Sequence, residues 1–155
     1  NLNVCLHGVI DCPLTALGMQ QQEQWLGFNA PISDARDFTI TGIPLGRAQQ
    51  TAKIVSTRLE NDITVTTDNR LKEYSFGHWE GLTLTQIQQR YPQQWRARLA
   101  DKWNYQIPDG ESYALLSHRT CDWLHSLTND HYTVEICHEM TAKTIRGAYL
   151  GLSQQ

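Results

Sequence analysis

Apolar runs and amphipathic segments alternate along the chain, and this alternation predicts strands and helices in turn. Strand-like runs rich in β-branched residues end at Leu6 and cover residues 38–41, 63–67 and 132–137. Segments with helical spacing of apolar residues cover 14–28, 46–59, 84–100 with an interruption at Pro92, 111–127 and 141–150. Strands and helices in this order favour a mostly parallel sheet with helices on both faces. We therefore predict an α/β fold, a three-layer α/β/α sandwich.

Two of the predicted strands run directly into a histidine. Val4-Cys5-Leu6 is followed by His7 and Gly8, and Val134-Glu135-Ile136-Cys137 is followed by His138. Ligands of α/β domains gather where strands end at their carboxyl edge, and a glycine there lets a backbone or a substrate approach closely. The sequence therefore predicts that His7 and His138 serve one functional site, with Gly8 beside it.

Arg47 lies in the first turn of a predicted helix whose apolar positions are Ala48, Ala52, Val55 and Leu59. A helix N-terminus favours anions, and a guanidinium group adds two-pronged recognition of phosphate. Arg47 is therefore a candidate phosphate ligand. The alternative, an arginine on the surface that pairs with a neighbouring acid, remains open at this point.

The segment 71–81 is rich in glycine and aromatic residues and shows no clean period. Such segments more often carry function than merely connect elements. Glu73 and Glu80 are its candidate acids, although a loop glutamate is usually just solvated. We expect substrate specificity to come from the loop around Tyr74–Trp79 and from the helical region Trp95–Trp103.

Composition narrows the class of protein. The 155 residues suit a single domain, and 40% hydrophobic with 19% charged residues is typical of a soluble globular protein. The net charge is -3 and no basic run occurs, which argues against nucleic acid, and no apolar run has membrane-spanning length. The cysteines form no C-x-x-C pair, so we expect buried thiols in a reducing, cytoplasmic compartment. A zinc site from Cys5, Cys12, His7, Cys137 and His138 matches no known ligand spacing.

Six segments in order resemble motifs of one family, the histidine phosphatase superfamily, also called phosphoglycerate mutase-like. These are His7-Gly8, Asp11-Cys12-Pro13-Leu14-Thr15 with Gly18, Pro44-Leu45-Gly46-Arg47-Ala48 with Thr51-Ala52, Leu71-Lys72-Glu73 with Gly77-His78-Trp79-Glu80-Gly81, Pro108-Asp109-Gly110-Glu111-Ser112, and His138. The resemblance covers nearly the whole chain. It implies one phosphoglycerate mutase-like domain over residues 1–155.

The resemblance also implies roles and an activity. His7 would attack phosphorus and carry a phosphohistidine, while Arg47, His138 and the backbone at Gly8 would hold the phosphoryl group. Glu73 would protonate the leaving alcohol and then activate water. The implied enzyme is a phosphomonoester hydrolase for a small phosphorylated metabolite, with no cofactor and no metal. A homodimer is left open.

Three positions depart from the family pattern. Leu6 stands where the family has arginine, only two residues separate Gly8 from Asp11, and Glu139 follows His138 where glycine is common. Losing one charged donor would lower the rate about a hundredfold. Two explanations stay open. The protein is a weakened or inactive relative that serves as a phosphate-binding or interaction module, or the chain lacks a loop after Gly8 and a C-terminal strand.

Overall fold

A computed structural model of the chain describes residues 5–9, 14–21, 38–43, 46–58, 65–128 and 132–152. Its helices are α1 (16–21), α2 (Gly46–Arg58), α3 (Leu84–Arg90), α4 (Pro92–Ala100), α5 (Tyr113–His125) and α6 (Glu139–Tyr149), and its strands are β1 (Phe38–Gly42), β2 (Val65–Thr67) and β3 (Tyr132–Ile136). Short 3-10 turns cover Asn69–Leu71 and Gly77–Trp79. None of the helices in this part of the chain combines the length and apolar composition that crossing a membrane requires.

The described residues fall into two compact units, each made of discontinuous segments. The helical unit draws on Asn1–Ile10, Glu73–Leu124 and Glu139–Gln155, and the sheet unit draws on Asp11–Lys72 and His125–His138. The prediction of a single domain over residues 1–155 stays a prediction.

The three strands of the sheet unit form one parallel sheet in the order β2-β1-β3. Ile40 lies opposite Val65 on one side and Val134 on the other, and Gly42 lies opposite Thr67 and Ile136. The predicted α/β class and parallel sheet are confirmed. The strand predicted over 63–67 is described from Val65 onward.

Helix α2 contacts all three strands of the sheet. Its buried residues are Ala48, Ala52 and Val55, as the helical spacing predicts, and they join Ile40 and Ile43 in the core of the sheet unit. Leu59, the fourth predicted apolar position, lies outside the described residues. Two alanines on this face let the helix backbone come close to the sheet, which brings the first turn of α2 to the carboxyl end of β1.

Cys5 and Leu6 pair differently from the prediction. Cys5 forms an isolated antiparallel bridge with Thr83, the Leu6 N–H donates to the Leu82 carbonyl (3.0 Å), and the Gly81 N–H donates to the Leu6 carbonyl (2.8 Å). Gly81 adopts φ 77°, a conformation that favours glycine, and this lets the chain turn back alongside Leu6. The described end of the predicted first strand is therefore part of an antiparallel bridge in the helical unit.

The core of the helical unit is aromatic. Its five fully buried residues are Tyr74, Trp79, Ile87, Ile107 and Leu116. Tyr74 stacks on Tyr113 and Trp79 lies near Trp95, with ring centroids 5.0 and 6.0 Å apart. Tyr74 and Trp79 are fully buried, so their rings supply the apolar interior of the loop. The expectation that the loop around them selects the substrate stays a prediction.

Helices α3 and α4 meet at Pro92, as predicted. Thr83 caps α3 in a reciprocal capping box with Gln86, and Pro92 occupies the first turn of α4, where its missing N–H is not needed. On α4 the buried side chain is Arg98, whose guanidinium lies 5.9 and 5.4 Å from the ring centroids of Tyr74 and Tyr113. These distances allow cation–π attraction, which helps a charged residue to be buried here.

Hydrogen bonds with Arg119 and Glu111 fix the segment that contains Glu73. Arg119 pairs with Glu111 through two contacts of 2.7 and 2.9 Å and also donates to the Glu73 carbonyl (3.1 Å). The Glu111 carboxylate accepts from the Ser75 N–H (3.1 Å), and the Glu111 carbonyl accepts from the Tyr74 hydroxyl (2.7 Å). The Arg119–Glu111 pair therefore sets the backbone on both sides of Tyr74.

We expect Arg119→Ala to lower the free energy of unfolding by about 3 kcal/mol, because it leaves the mostly buried Glu111 carboxylate without its cation. Lys143→Ala is the matched control, since it breaks the exposed pair with Glu139 (2.5 Å) and should change the same quantity by less than about 1 kcal/mol. Urea unfolding of the three proteins measures both values. Equal losses in the two variants would contradict the role given to Arg119.

Candidate functional site

His7 is exposed and is followed by a tight turn at Gly8 and Val9. Gly8 is buried with φ 48°, and a Cβ at this position would lie 2.5 Å from Glu80 Oε1 and 3.1 Å from the Tyr74 carbonyl oxygen. The turn therefore requires glycine for its conformation and for the approach of the Glu80 carboxylate. This puts an accessible imidazole on a backbone that is itself closely packed.

Glu73 is held by the first turn of α6. Its carboxylate accepts from the Tyr74 N–H (2.8 Å), the Thr141 hydroxyl (3.4 Å) and the Met140 N–H (3.4 Å). The sequence predicts that α6 opens at Thr141, whereas it begins at Glu139. Because the Glu73 carboxylate accepts from donors in the first turn of α6, this helix needs no capping side chain of its own. Thr141, the predicted first residue of the helix, is instead buried and donates to Glu73.

Glu80 has a different set of partners. Its Oε1 atom accepts from the Val9 N–H (3.3 Å), the Phe76 N–H (3.2 Å) and the Ser75 hydroxyl (3.4 Å). From sequence, Glu73 and Glu80 are equivalent candidate acids. The structure separates them, since Glu73 lies at α6 while Glu80 lies under the turn that follows His7.

Arg47 and His138 come together in the sheet unit. The carboxyl ends of β1 and β3 are neighbours, because Gly42 lies opposite Ile136. Helix α2 begins at Gly46, so half-buried Arg47 occupies its first turn as predicted, and His138 follows β3 by two residues. The Arg47 charge acts on the His138 ring. The register of the parallel sheet therefore places Arg47 and His138 in the same part of the sheet unit, and their predicted binding of phosphate stays a prediction.

The surroundings of His138 favour its neutral form. Burial, and then the nearby Arg47 charge, lower the pKa of His138 from 6.5 to about 4. Its buried Nε2 atom has no hydrogen-bond partner among the described residues. A neutral imidazole with an unused ring nitrogen can donate one hydrogen bond to an anion, while Arg47 supplies the positive charge.

A half-buried acid, Glu135, lies three residues before His138. Burial raises the pKa of Glu135, and a hydrogen bond from Cys137 opposes this effect. The Cys137 thiol also contacts the His138 carbonyl oxygen (3.5 Å). In the described part of the chain, no group of three or more histidine, cysteine, aspartate or glutamate side chains could hold a metal ion, and Cys12 lies outside that part.

Two departures from the family pattern have a clear structural setting. Glu139 is exposed and pairs with Lys143, which lowers the pKa of the Glu139 carboxyl. As a first-turn residue of α6 it also suits the positive end of the helix dipole. Leu6 packs against the aromatic core of the helical unit. An apolar side chain at this position therefore contributes packing in place of the charged donor that the family pattern has there.

The family model for the histidine phosphatase superfamily (branch 1) matches residues 1–155. The chain belongs to this superfamily. A Salmonella arizonae protein named "Probable phosphoglycerate mutase GpmB" is 36% identical over 118 residues, which are 74% of this chain and 51% of the relative. The chicken (Gallus gallus) 6-phosphofructo-2-kinase/fructose-2,6-bisphosphatase is 32% identical over 85 residues, 55% of this chain and 18% of that protein. The match thus spans about half the length of the first relative and less than a fifth of the second.

Solved structures agree on the fold. The alpha-ribazole phosphatase from Shigella flexneri aligns with a TM-score of 0.84 at 21% identity, covering 96% of this chain and 73% of that one. A mycobacterial glucosyl-3-phosphoglycerate phosphatase aligns with a TM-score of 0.79 at 25% identity, covering 99% and 74%. The predicted phosphoglycerate mutase-like fold is confirmed by these histidine phosphatase neighbours.

The predicted site residues divide between the units: His7, Gly8 and Glu73 belong to the helical unit, and Arg47 and His138 to the sheet unit. Sequence reasoning missed the supporting roles of Glu111, Arg119 and Thr141. Glu111 stands in the segment Pro108–Ser112, which resembles the Pro-x-Gly-Glu-Ser turn of the family, and this resemblance was an available signal. No sequence signal marked Arg119 or Thr141, because only the fold brings them to Glu73.

The pKa of His138 makes stability depend on pH in a defined direction. The unfolded chain takes up a proton near pH 6.5 and the folded chain only near pH 4, so this group's contribution is present above pH 6.5 and is lost as the pH falls through about 4. We expect His138→Asn to remove about 1 kcal/mol of the acid-induced loss, after allowance for solvent screening of a half-buried ring. Urea unfolding at pH 7.5 and pH 4.5 measures this loss.

His125→Asn is the control for this measurement, since His125 is exposed in the last turn of α5. Its unfolding free energy should change between the two pH values by the same amount as that of the parent protein. An unchanged pH dependence in His138→Asn would contradict the electrostatic setting described for His138.

Proposed function

We propose that the protein is a phosphomonoester hydrolase that works through a phosphohistidine intermediate on a small phosphorylated metabolite. The observation that carries the proposal is an exposed imidazole, His7, on the tightly held Gly8 turn of a chain that matches the histidine phosphatase family over residues 1–155. A nucleophile must be accessible to phosphorus and fixed in direction, and this turn supports both requirements.

In the first step, a ring nitrogen of His7 attacks phosphorus, the bond from phosphorus to the ester oxygen breaks, and Glu73 gives a proton to the leaving alkoxide. In the second step, a water oxygen attacks phosphorus, the nitrogen–phosphorus bond breaks, and the Glu73 carboxylate takes a proton from that water. The products are an alcohol and inorganic phosphate, and both side chains return to their starting state.

In this proposal, Arg47 and His138 bind the phosphoryl oxygens in both steps. Arg47 supplies charge and a two-pronged set of donors, and neutral His138 donates through the ring nitrogen that has no partner among the described residues. The backbone at Gly8 is the further phosphate contact that we propose, whereas the space beside its Cα is occupied by the Glu80 carboxylate. The chemistry is assigned to these side chains and uses no cofactor or metal.

The substrate class is supported by the names of the relatives. They include a fructose-2,6-bisphosphatase and a glucosyl-3-phosphoglycerate phosphatase, which act on small phosphorylated sugars or sugar acids. The chain is similar to these proteins over part of their length only. A small phosphorylated metabolite is therefore the substrate class that we propose.

In the second candidate function, the protein is catalytically weakened or inactive and serves as a phosphate-binding or interaction module. The observation that favours it is Leu6, which packs on the aromatic core where the family pattern has a charged donor. Phosphate binding by Arg47 and His138 would persist in such a protein while turnover would be low.

We expect His7→Ala to reduce hydrolysis of p-nitrophenyl phosphate at least about a thousandfold, because no other group replaces the nucleophile. The parent protein should also carry acid-labile phosphate after brief incubation with a labelled phosphomonoester, and the variant should carry none. His125→Ala, an exposed histidine, should retain full activity. A parent protein with no turnover and no acid-labile phosphate contradicts the hydrolase proposal.

Leu6→Arg separates the two candidate functions. If the site is intact apart from the lost donor, we expect kcat to rise by about tenfold or more, with the free energy of unfolding lower by about 1 kcal/mol because apolar packing is lost. Leu6→Met keeps the packing without a donor and should leave kcat unchanged. The same kcat in Leu6→Arg as in the parent would favour the binding module.

A further inference from the structure

The chain just before His7 is fixed by backbone hydrogen bonds. Leu6 exchanges two of them with residues 81–82, at 2.8 and 3.0 Å, and Cys5 bridges Thr83. The chain just after His7 has a different support. There the Val9 N–H donates to Glu80 Oε1 (3.3 Å), a side-chain acceptor. His7 therefore lies between a backbone clamp on one side and one carboxylate on the other.

The same oxygen of Glu80 also fixes a second segment. Oε1 accepts from the Phe76 N–H (3.2 Å) and the Ser75 hydroxyl (3.4 Å). Gly8 is buried against this atom, since a Cβ there would come within 2.5 Å of it. One carboxylate oxygen thus sets the distance between the turn after His7 and the segment 75–76, which is anchored beside the buried core.

We propose that Glu80 is a positioning residue for His7: its carboxylate holds the Gly8–Val9 turn and so aims the imidazole at phosphorus. This inference rests on the proposed function of His7 and deepens it. It also separates Glu80 from acid–base chemistry, which belongs to Glu73. The Oε1 atom of Glu80 accepts from donors on two separate segments, the turn after His7 and residues 75–76, and this bridging is the basis of the positioning role.

Three substitutions distinguish this role from the alternatives. Glu80→Gln keeps a carbonyl oxygen that can accept from the same donors, and it removes the charge and the titration. Glu80→Ala removes the acceptor and leaves the Val9 and Phe76 N–H groups without it. Glu80→Asp keeps the charge but is one methylene too short to reach the turn.

We expect Glu80→Ala and Glu80→Asp to lower kcat for p-nitrophenyl phosphate about a hundredfold, with KM within about threefold of the parent, because a misplaced nucleophile reacts slowly. Glu80→Gln should stay within about fivefold of the parent kcat and keep the same pH profile. Loss of one limb of that profile in Glu80→Gln, or a kcat in Glu80→Ala close to that of the parent, would overturn the inference.

Thr83→Ala is the matched control for stability. It removes the side chain that forms the capping box of α3, and it leaves in place both the contacts of Glu80 and the backbone bridge between Thr83 and Cys5. Its kcat should remain close to the parent value even where urea unfolding shows a loss of stability as large as that of Glu80→Ala. An equal fall of kcat in Thr83→Ala would show a general effect of stability and would overturn the positioning role.

Amide hydrogen exchange makes the test independent of turnover. The Val9 amide should exchange slowly in the parent and in Glu80→Gln, and about tenfold faster in Glu80→Ala. If the parent shows no turnover and no phosphohistidine, the hydrolase proposal fails, and this measurement still decides whether Glu80 holds the turn. Equal exchange at Val9 in all three proteins would overturn the inference about Glu80.

Discussion

The helical unit depends on how the segment 73–82 satisfies its backbone N–H groups. This segment has one 3-10 turn and no strand of its own, and it surrounds two fully buried aromatic rings. Side-chain carboxylates accept hydrogen bonds from backbone N–H groups that, in a sheet, would donate to a neighbouring strand. Glu73 accepts from the Tyr74 N–H, Glu111 from Ser75 and Glu80 from Phe76. Because a buried N–H without an acceptor is costly, these three glutamates are conditions for this loop to fold.

This use of carboxylates links the core to the proposed chemistry. The glutamates reach beyond the segment: Glu73 also contacts α6, Glu111 pairs with Arg119, and Glu80 holds the turn after His7. Tyr74 and Trp79 therefore serve function indirectly, by giving the loop an apolar interior around which the carboxylates are arranged. An irregular loop thereby fixes the positions of side chains through hydrogen bonds to these carboxylates.

Sequence reasoning succeeded where local pattern decides structure. The β-branched runs at β1, β2 and β3 and the stripe of Ala48, Ala52 and Val55 indicate a parallel sheet covered by α2. The same patterns place Arg47 in the first turn of α2 and His138 just after β3. Sequence reasoning failed where the structure depends on contacts between segments that are far apart in the chain. No local signal distinguishes Glu73 from Glu80, since both are glutamates of one loop, and no period shows that Leu6 pairs with Leu82. On α4 the apolar residue Leu99 is exposed and the charged residue Arg98 is buried, because two tyrosines from other segments favour burial of its guanidinium group.

The pairing of the segment around His7 with residues 80–83 has a consequence for how the chain acquires its structure. Val9 and its acceptor Glu80 are 71 positions apart in sequence. Contacts of such high sequence separation form late, because the entropic cost of closing a long loop comes before the contact adds stability. Such contacts also slow folding. On the ribosome the segment around His7 emerges before residues 80–83 and must wait for them before it can pair. The turn that carries His7 is therefore among the last parts of the helical unit to become ordered.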